Sequence, residues 1–275
     1  MVDYHLHPGF SPDATGSVEE FSARARAVGL EEVCFTTHCE LDPGRSEIER
    51  VVVSGSRVRV ESDWVKDYLQ EIDVARRNHP GLAVLAGVEV GYEPEYEDTI
   101  RRFLERHRFD FVLGAVHCVE RICLTARSET DEFLSRFRDP VQVAKKYLER
   151  IRRAAASRLF DSLAHIDIHR KYLDRAYGSA LTKALAERWP AVLSEIGGSG
   201  TGIELNTSAL RRGDPEPYPA ASLLAAAHEA GVGFFTVGSD AHHPDDVGRD
   251  LGVATRLLAR LGAQPARFRA RERVA

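Results

Sequence analysis

Seven apolar runs of strand length alternate with seven amphipathic runs of helical length along the whole chain, and each apolar run carries a polar side chain near its C-terminal end. The apolar runs are VDYHLH (2–7), EEVCFTTH (31–38), LAVLAGVEV (82–90), FVLGAVH (111–117), SLAHIDI (162–168), GIELNTS (202–208) and GFFTVGSDAH (233–242). Helices are expected from Ser17, where Ser17 and Glu20 make a capping-box pattern, to Gly29. Others are expected over about 63–78, stopped by Pro80, then 95–107, 140–157 opened by Pro140, 178–188, 220–230 and 246–262. Strict alternation predicts a parallel sheet with right-handed crossovers, and the near-continuous apolar strands predict burial on both faces. No composition break divides residues 1–275, so a single domain is expected. Its insertions fall at about 43–62, where two β-prone runs flank Ser54-Gly55 and suggest a hairpin, and at 125–139, a charged segment expected to be helical.

An open doubly wound sheet and a closed barrel both fit this order, and the ionisable residues separate them. His5 and His7 leave one face of the first strand, and Asp240 and His242 repeat that spacing on the seventh. His38, Glu89, His117, His165 and Asn206 end the second to sixth strands. An open sheet gathers ligands at one switch point, whereas convergence from all seven strands favours a closed α/β barrel with its site at the C-terminal face. Each residue has a bland alternative, a hydrogen-bonded core histidine or a paired carboxylate. Collected together, buried charges require a compensating cation. Imidazoles mixed with carboxylates suit Zn, Fe or Mn and differ from an all-oxygen Ca or Mg cage.

The other signals are weaker. His79, His107 and His228 are expected at the surface or as caps, and His169 and His243 at the rim. GGSGTG (197–202) precedes a strand instead of opening a helix, so it is expected to be a flexible turn and not a phosphate loop. Four cysteines at 34, 39, 118 and 123 lie in C-x4-C pairs, unlike the tight pairs of structural zinc sites. They are expected to be buried and reduced, with the Cys39 and Cys118 thiols facing away from the preceding histidines; metal ligation is the alternative. A net charge of −5 argues against a protein built to hold nucleic-acid backbone. No signal peptide is evident and no apolar run approaches the roughly twenty residues of a membrane span, so a cytoplasmic protein is expected.

Taken together, DYHLH (3–7), FSPDATGS (10–17), FTTH (35–38), GVE (87–89), GAVH (114–117), AHIDI (164–168) and SDAH (239–242) resemble the polymerase and histidinol phosphatase (PHP) family of metallophosphoesterases. FDFVLGAVH, AHIDIHRKY and ELNTSALRR with a later YPAASLL are similar to its monofunctional histidinol-phosphate phosphatases. The chain departs from the family pattern at Thr37, where Asp is common, and at Asp13, where those phosphatases often carry His. The resemblance implies a distorted seven-stranded (β/α)7 TIM-like barrel with two or three divalent transition metals. By motif, His5, His7, Glu89 and Asp240 would hold one metal. Glu89 would bridge to a second held by His117 and His165, with Asp13, His38 and His242 around a third.

The expected substrate is a small-molecule phosphate ester, preferably L-histidinol phosphate in histidine biosynthesis. A metal-bridging water is the expected nucleophile, with no protein acid or base assigned. Arg211 and Arg212 follow the sixth strand and could clamp phosphate, or could be an ordinary exposed pair; Asn206 and Lys171 are further substrate-binding candidates. Glu40, Asp42 and Glu93 could meet the amine. The competing functions are a PHP phosphoesterase acting on nucleotides, phosphotyrosine or nucleic-acid ends, an amidohydrolase-type C–N hydrolase, and a non-catalytic binding module. The last normally loses ligands that this chain retains, and the C–N class usually has a bridging lysine where Glu89 stands here.

Overall fold

The computed structural model describes residues 1–46 and 48–274; Glu47, inside the first expected insertion, and Ala275 lie outside the described residues. The apolar runs form β1 (Val2–Leu6), β2 (Glu32–Phe35), β3 (Ala83–Gly91), β4 (Phe111–Ala115), β5 (Ser162–Leu163), β6 (Gly202–Asn206) and β7 (Phe235–Gly238). They pair in chain order and all in parallel. The segment after β7 returns to β1: His7 N–H donates to Ala241 O and Asp240 N–H to His5 O, both at 2.9 Å. These bonds nearly close the sheet into the expected barrel, and they are made by the residues that carry the candidate site.

Helices cover the outside because each buries one apolar stripe against the strands. The first, α1 (Val18–Ala27), starts with the expected capping box: Glu20 N–H donates to Ser17 Oγ at 3.2 Å, and Ser17 N–H donates back to Glu20 Oε2 at 2.7 Å. Trp64–Asn78 forms α2, with Trp64, Tyr68 and Ile72 buried. Glu97–Arg106 forms α3, and Pro140–Ser157 forms α4, opened by Pro140 with Asp139 accepting the Val141 N–H at 2.9 Å. The two segments expected as insertions contain a Val51–Val53/Ser56–Val58 hairpin and helical turns at Arg127–Glu129 and Thr130–Arg136. Glu129 grips the buried Arg45 at 2.7 and 2.9 Å, so the two insertions support one another.

Several local expectations need correction. The second strand pauses at Thr36–Thr37, because the β1–β2 register shifts between Asp3 and Leu6 and the Thr36 hydroxyl accepts the Leu6 N–H at 3.1 Å. Pairing then resumes with His38 beside Glu89. The fifth strand stops at Leu163, since His165 N–H leaves the ladder for the Glu204 carboxylate. The helix expected over 178–188 is α5 (Ser179–Ala186), and an unexpected helix, α6 (Trp189–Ser199), follows it before α7 (Ala221–Glu229) and α8 (Leu251–Arg260). The GGSGTG stretch is therefore no flexible turn. Its first residues finish α6, Gly200 at φ 84° is the left-handed cap, and Gly197 lies so close to Ala230 O that a Cβ would sit 2.6 Å away. His79 takes the capping role, as the C-cap of α2 with its N–H on Ala75 O, and its ring is buried against Glu19 at 2.8 Å. His169 is also buried, bonded to Asp174 at 2.9 Å. An unexpected C-terminal hairpin, Arg267–Arg269/Glu272–Val274, plugs the far end of the barrel, where the Phe268 ring packs on Tyr4 and Phe111.

Gly87 shows how tightly the sheet is built. A Cβ there would meet Cys34 Sγ at 2.6 Å, Phe35 O at 2.8 Å and Phe111 O at 2.9 Å, two of them backbone atoms that cannot step aside. Gly87→Ala should cost about 1–3 kcal/mol, the usual range for overpacking. A thermal midpoint unchanged within a degree would contradict this account of the β2–β3–β4 contact.

Candidate metal centre

Glu89 projects from β3 into the barrel mouth with its carboxylate wholly buried, a position that costs heavily unless positive charge surrounds it. Five imidazoles do so. Glu89 Oε1 lies 3.4 Å from His5 Nε2, 3.4 Å from His117 Nε2 and 3.2 Å from His165 Nε2. Its Oε2 lies 2.7 Å from His38 Nδ1 and 3.7 Å from His7 Nε2. Asp240 Oδ1 closes the near side, 3.3 Å from His7 Nε2 and 3.6 Å from His5 Nε2. Asp13, the most open of the nine, stands 3.7 Å from His38 and 3.4 Å from His242. Its loop is tied down where Thr15 N–H donates to His242 O at 2.9 Å. All nine sequence-selected residues thus converge on one mouth. Donor atoms fall within 4.8 Å of one another in four overlapping groups: His7–His38–His242, His5–His165–Asp240, His5–His7–Glu89 and His38–Glu89–His117.

The charges are mutually dependent. Burial would raise Glu89, but His117, His5 and His38 hold it well below the carboxylate range; Asp240 is likewise held down, against its burial, chiefly by His5 and His7. Burial would depress His5, yet the carboxylates of Glu204, Asp240 and Glu89 push it well above an ordinary imidazole. Against the same burial, Asp13 and Glu89 lift His38 to about 9, and Glu89 and Glu40 lift His117. His7 goes the other way, since burial and the neighbouring His38 and His242 keep it well below its usual value. Among the described residues, its Nε2 and that of His5 have no hydrogen-bond partner although both are buried. His242 Nε2 also approaches His38 Nε2 to 3.4 Å, a contact of two ring nitrogens that a shared cation would satisfy. The donor set fits borderline transition metals.

The residues that aim these donors were harder to find. Glu204, on β6, accepts from His5 Nδ1 at 2.6 Å and from His165 N–H at 3.0 Å. It was missed, although an acid two residues before Asn206 in an apolar strand was a readable signal. Glu40, expected at the amine, instead holds His117 Nδ1 at 2.9 Å, and Ser11 Oγ faces His7 Nδ1 at 3.2 Å. Partners of this kind orient a ligating ring and raise its basicity. Asp42 accepts Gly44 N–H at 2.7 Å, and Glu93 meets Arg150 at 2.9 Å, with burial keeping Glu93 near 7 in spite of that arginine.

The expected arginine clamp is not formed by either residue. Thr207 is followed by a short helix, Ser208–Arg211, which swings the two side chains off the strand face. Arg211 donates to Ser239 O and to Asp240 O, the latter at 2.8 Å; Arg212 donates to Ser208 O and Tyr218 Oη. Arg211 thereby braces Asp240, whose φ of 55° is unusual for a non-glycine residue; His165, at φ 27°, shares that irregularity. Asn206 is fully buried, donating to Glu204 at 3.1 Å and Asp240 at 3.3 Å, so it orders carboxylates. Lys171 does line the cavity, a space of about 180 Å³ it shares with His38, Glu89, Asp240 and Cys123.

Two measurements follow from this geometry. Glu204→Gln should keep the fold by circular dichroism but weaken metal affinity by about 10–100-fold, the usual effect of losing a ring-orienting carboxylate. An unchanged affinity in chelator competition would remove Glu204 from the centre. Because the surrounding carboxylates raise His5, His38 and His117 above their ordinary values, cations must compete with protons for these rings. Metal uptake should therefore release protons, and affinity should fall about tenfold per pH unit for each proton released as pH drops from 9 toward 6. Titrations in buffers of different ionisation enthalpy check this, and a pH-independent affinity would refute it.

The comparisons with known proteins agree with the architecture. Residues 3–208 match the PHP domain family model. A protein of Deinococcus radiodurans described as a probable histidinol-phosphatase is 29% identical, over 99% of this chain and 98% of its own length. The histidinol-phosphatase of Lactococcus lactis is 24% identical over 88% of this chain and 84% of its own length. In structure, the chain is similar to the L. lactis histidinol phosphate phosphatase crystallised with Zn, L-histidinol and phosphate, with a TM-score of 0.79, 23% identity, and coverage of 100% of this chain and 98% of that one. With its parallel barrel and three-quarters of its length inside the matched model, the chain belongs to the PHP domain family.

Proposed function

We propose that the chain is a metal-dependent phosphomonoesterase that hydrolyses L-histidinol phosphate to L-histidinol and phosphate, in the cytoplasm and in the service of histidine biosynthesis. The observation that carries the chemistry is Glu89, one buried carboxylate within 3.7 Å of five imidazoles beside a small cavity. Support for the substrate comes from similarity over nearly the whole chain to proteins named for that activity.

The proposed ligands are His5, His7, Glu89 and Asp240 for one cation, Glu89, His117 and His165 for a second, and Asp13, His38 and His242 for a third, the cations being Zn, Fe or Mn. Divalent cations in such a set neutralise phosphate oxygens and lower the pKa of water. Glu204 and Glu40 then hold His5 and His117 in the tautomers that leave Nε2 free to ligate. Lys171 replaces the arginine pair as the phosphate-binding cation; burial lowers its ammonium, while nearby Asp240 and Asp13 favour its charged form. Glu49, on the cavity wall with Thr125 and Ala126, is the carboxylate proposed to face the amine of the amino alcohol.

On metal-loaded enzyme, kcat/KM for histidinol phosphate should exceed that for nucleoside monophosphates and phosphotyrosine by about tenfold or more, roughly 1.4 kcal/mol of transition-state preference. Better turnover of nucleotides would discard the substrate and keep the phosphoesterase class; no phosphate release from any ester would discard both. Lys171→Ala should raise KM for phosphate esters with metal content intact. Glu89→Gln should lose more activity than Asp13→Asn, because Glu89 serves two of the proposed cations and Asp13 one. Equal losses would contradict that division.

A further inference from the structure

We propose that Cys118 and Cys123 are a site of reversible oxidation, closing to a cross-strand disulfide in the wall of the metal cavity. The two residues bracket Val-Glu-Arg-Ile, and Glu120 and Arg121 form a two-residue turn with φ of 50° and 68°. Positive φ at both central positions is the hairpin turn whose twist matches paired strands. Cys118 lies directly opposite Cys123 in the resulting ladder, and Val119 opposite Ile122.

The pair type decides what the thiols can do. Leu124 N–H donates to His117 O at 2.9 Å, which makes His117–Leu124 a hydrogen-bonded position. By alternation along an antiparallel ladder, Cys118–Cys123 is then a non-hydrogen-bonded pair, with Cα atoms about 4.5 Å apart and side chains at their closest. Disulfides span Cα separations of about 4.4–6.8 Å, so side-chain rotation suffices to close one here. The two residues face each other across the ladder with both side chains buried. Cys34 and Cys39 have no such opportunity, since Leu85 and Val90 stand opposite them.

The place is also chemically exposed in one direction. All four cysteines are reduced and buried, but Cys123 lines the metal cavity with Thr125, whose Oγ1 lies 3.0 Å from its sulfur. A small peroxide that enters the cavity meets Cys123 first. Attack of its thiolate on the peroxide O–O bond forms a sulfenic acid and releases water. Cys118 then displaces the sulfenic oxygen as a second water, so that two thiols and one hydrogen peroxide become one disulfide and two waters. A dithiol reductant reverses it by exchange. The cross-link draws the Cys123 sulfur off the cavity wall and ties down the hairpin that begins next to His117. The same hairpin is anchored to the rim where Cys123 N–H donates to Glu129 at 2.7 Å, a carboxylate that also accepts from Arg45. Turnover should therefore fall in the oxidised form.

The test treats metal-loaded, full-length protein with hydrogen peroxide and reads intact mass, free thiols and a peptide map. Expected are a loss of two hydrogen atoms, a fall from four free thiols to two, a single Cys118–Cys123 cross-link, and full recovery with dithiothreitol. Neither Cys118→Ser nor Cys123→Ser should cross-link. Oxygen addition at Cys123 without a cross-link, oxidation at Cys34 or Cys39 instead, or an unaltered mass would overturn the proposal. Phosphate release should drop severalfold on cross-linking, with metal content constant, and return on reduction. Unchanged turnover in cross-linked protein would overturn the functional consequence. Mass and thiol readings do not depend on the phosphatase reading, so failure of one is distinguishable from failure of the other.

Discussion

Everything at the mouth of this barrel depends on the cost of burying Glu89. A carboxylate removed from water needs positive charge on every side, and this one takes it from imidazoles delivered by four other strands or strand ends. No single strand could supply them. A closed parallel sheet brings the C-terminal ends of many strands to one point, so the architecture and the electrostatics are two descriptions of one requirement. Even the closure is shared, because Asp240 N–H donating to His5 O joins the end of the barrel to its beginning through two members of the charge cluster.

Around the donors stands a layer that holds direction. Glu204 and Glu40 each fix a ring nitrogen, Asn206 spaces two carboxylates, and Arg211 secures the left-handed backbone at Asp240. Local strain at Asp240 and His165 is tolerated because these bonds over-determine it. The two rim insertions, linked through Arg45 and Glu129, then narrow the approach, so one part of the chain sets the charge and another shapes the cavity.

Much of this was legible in the sequence. Period-two spacing put His5 and His7, and Asp240 and His242, on common faces, and seven strand ends carried polar groups, so the barrel and eight of the nine clustered residues could be named from residue order, Asp13 being added only by the family resemblance. The capping box at Ser17–Glu20 and the start of the helix at Pro140 were equally local, since their signals lie within one helical turn. The errors arose where a signal required knowing what stood opposite. Arg211 and Arg212 looked like a phosphate clamp until the Ser208–Arg211 helix turned them toward backbone carbonyls. The glycines at 197 and 198 looked like a loop until close packing of α6 against Ala230 gave Gly197 its reason.

By itself, then, the sequence determined the alternation, the hydrophobic faces and the placing of imidazoles and carboxylates at the strand ends, because those follow from spacing along one strand or one helix. Only the tertiary structure decided which carboxylate serves which imidazole. Glu204 lies 199 residues from His5, and Glu40 lies 77 from His117, and no periodicity spans such distances. It also decided that Cys123 faces Cys118 and the cavity while Cys34 and Cys39 have aliphatic partners, since strand register is set by the pairing of whole elements. The donors are written in the order of residues, and their directions in the contacts between strands.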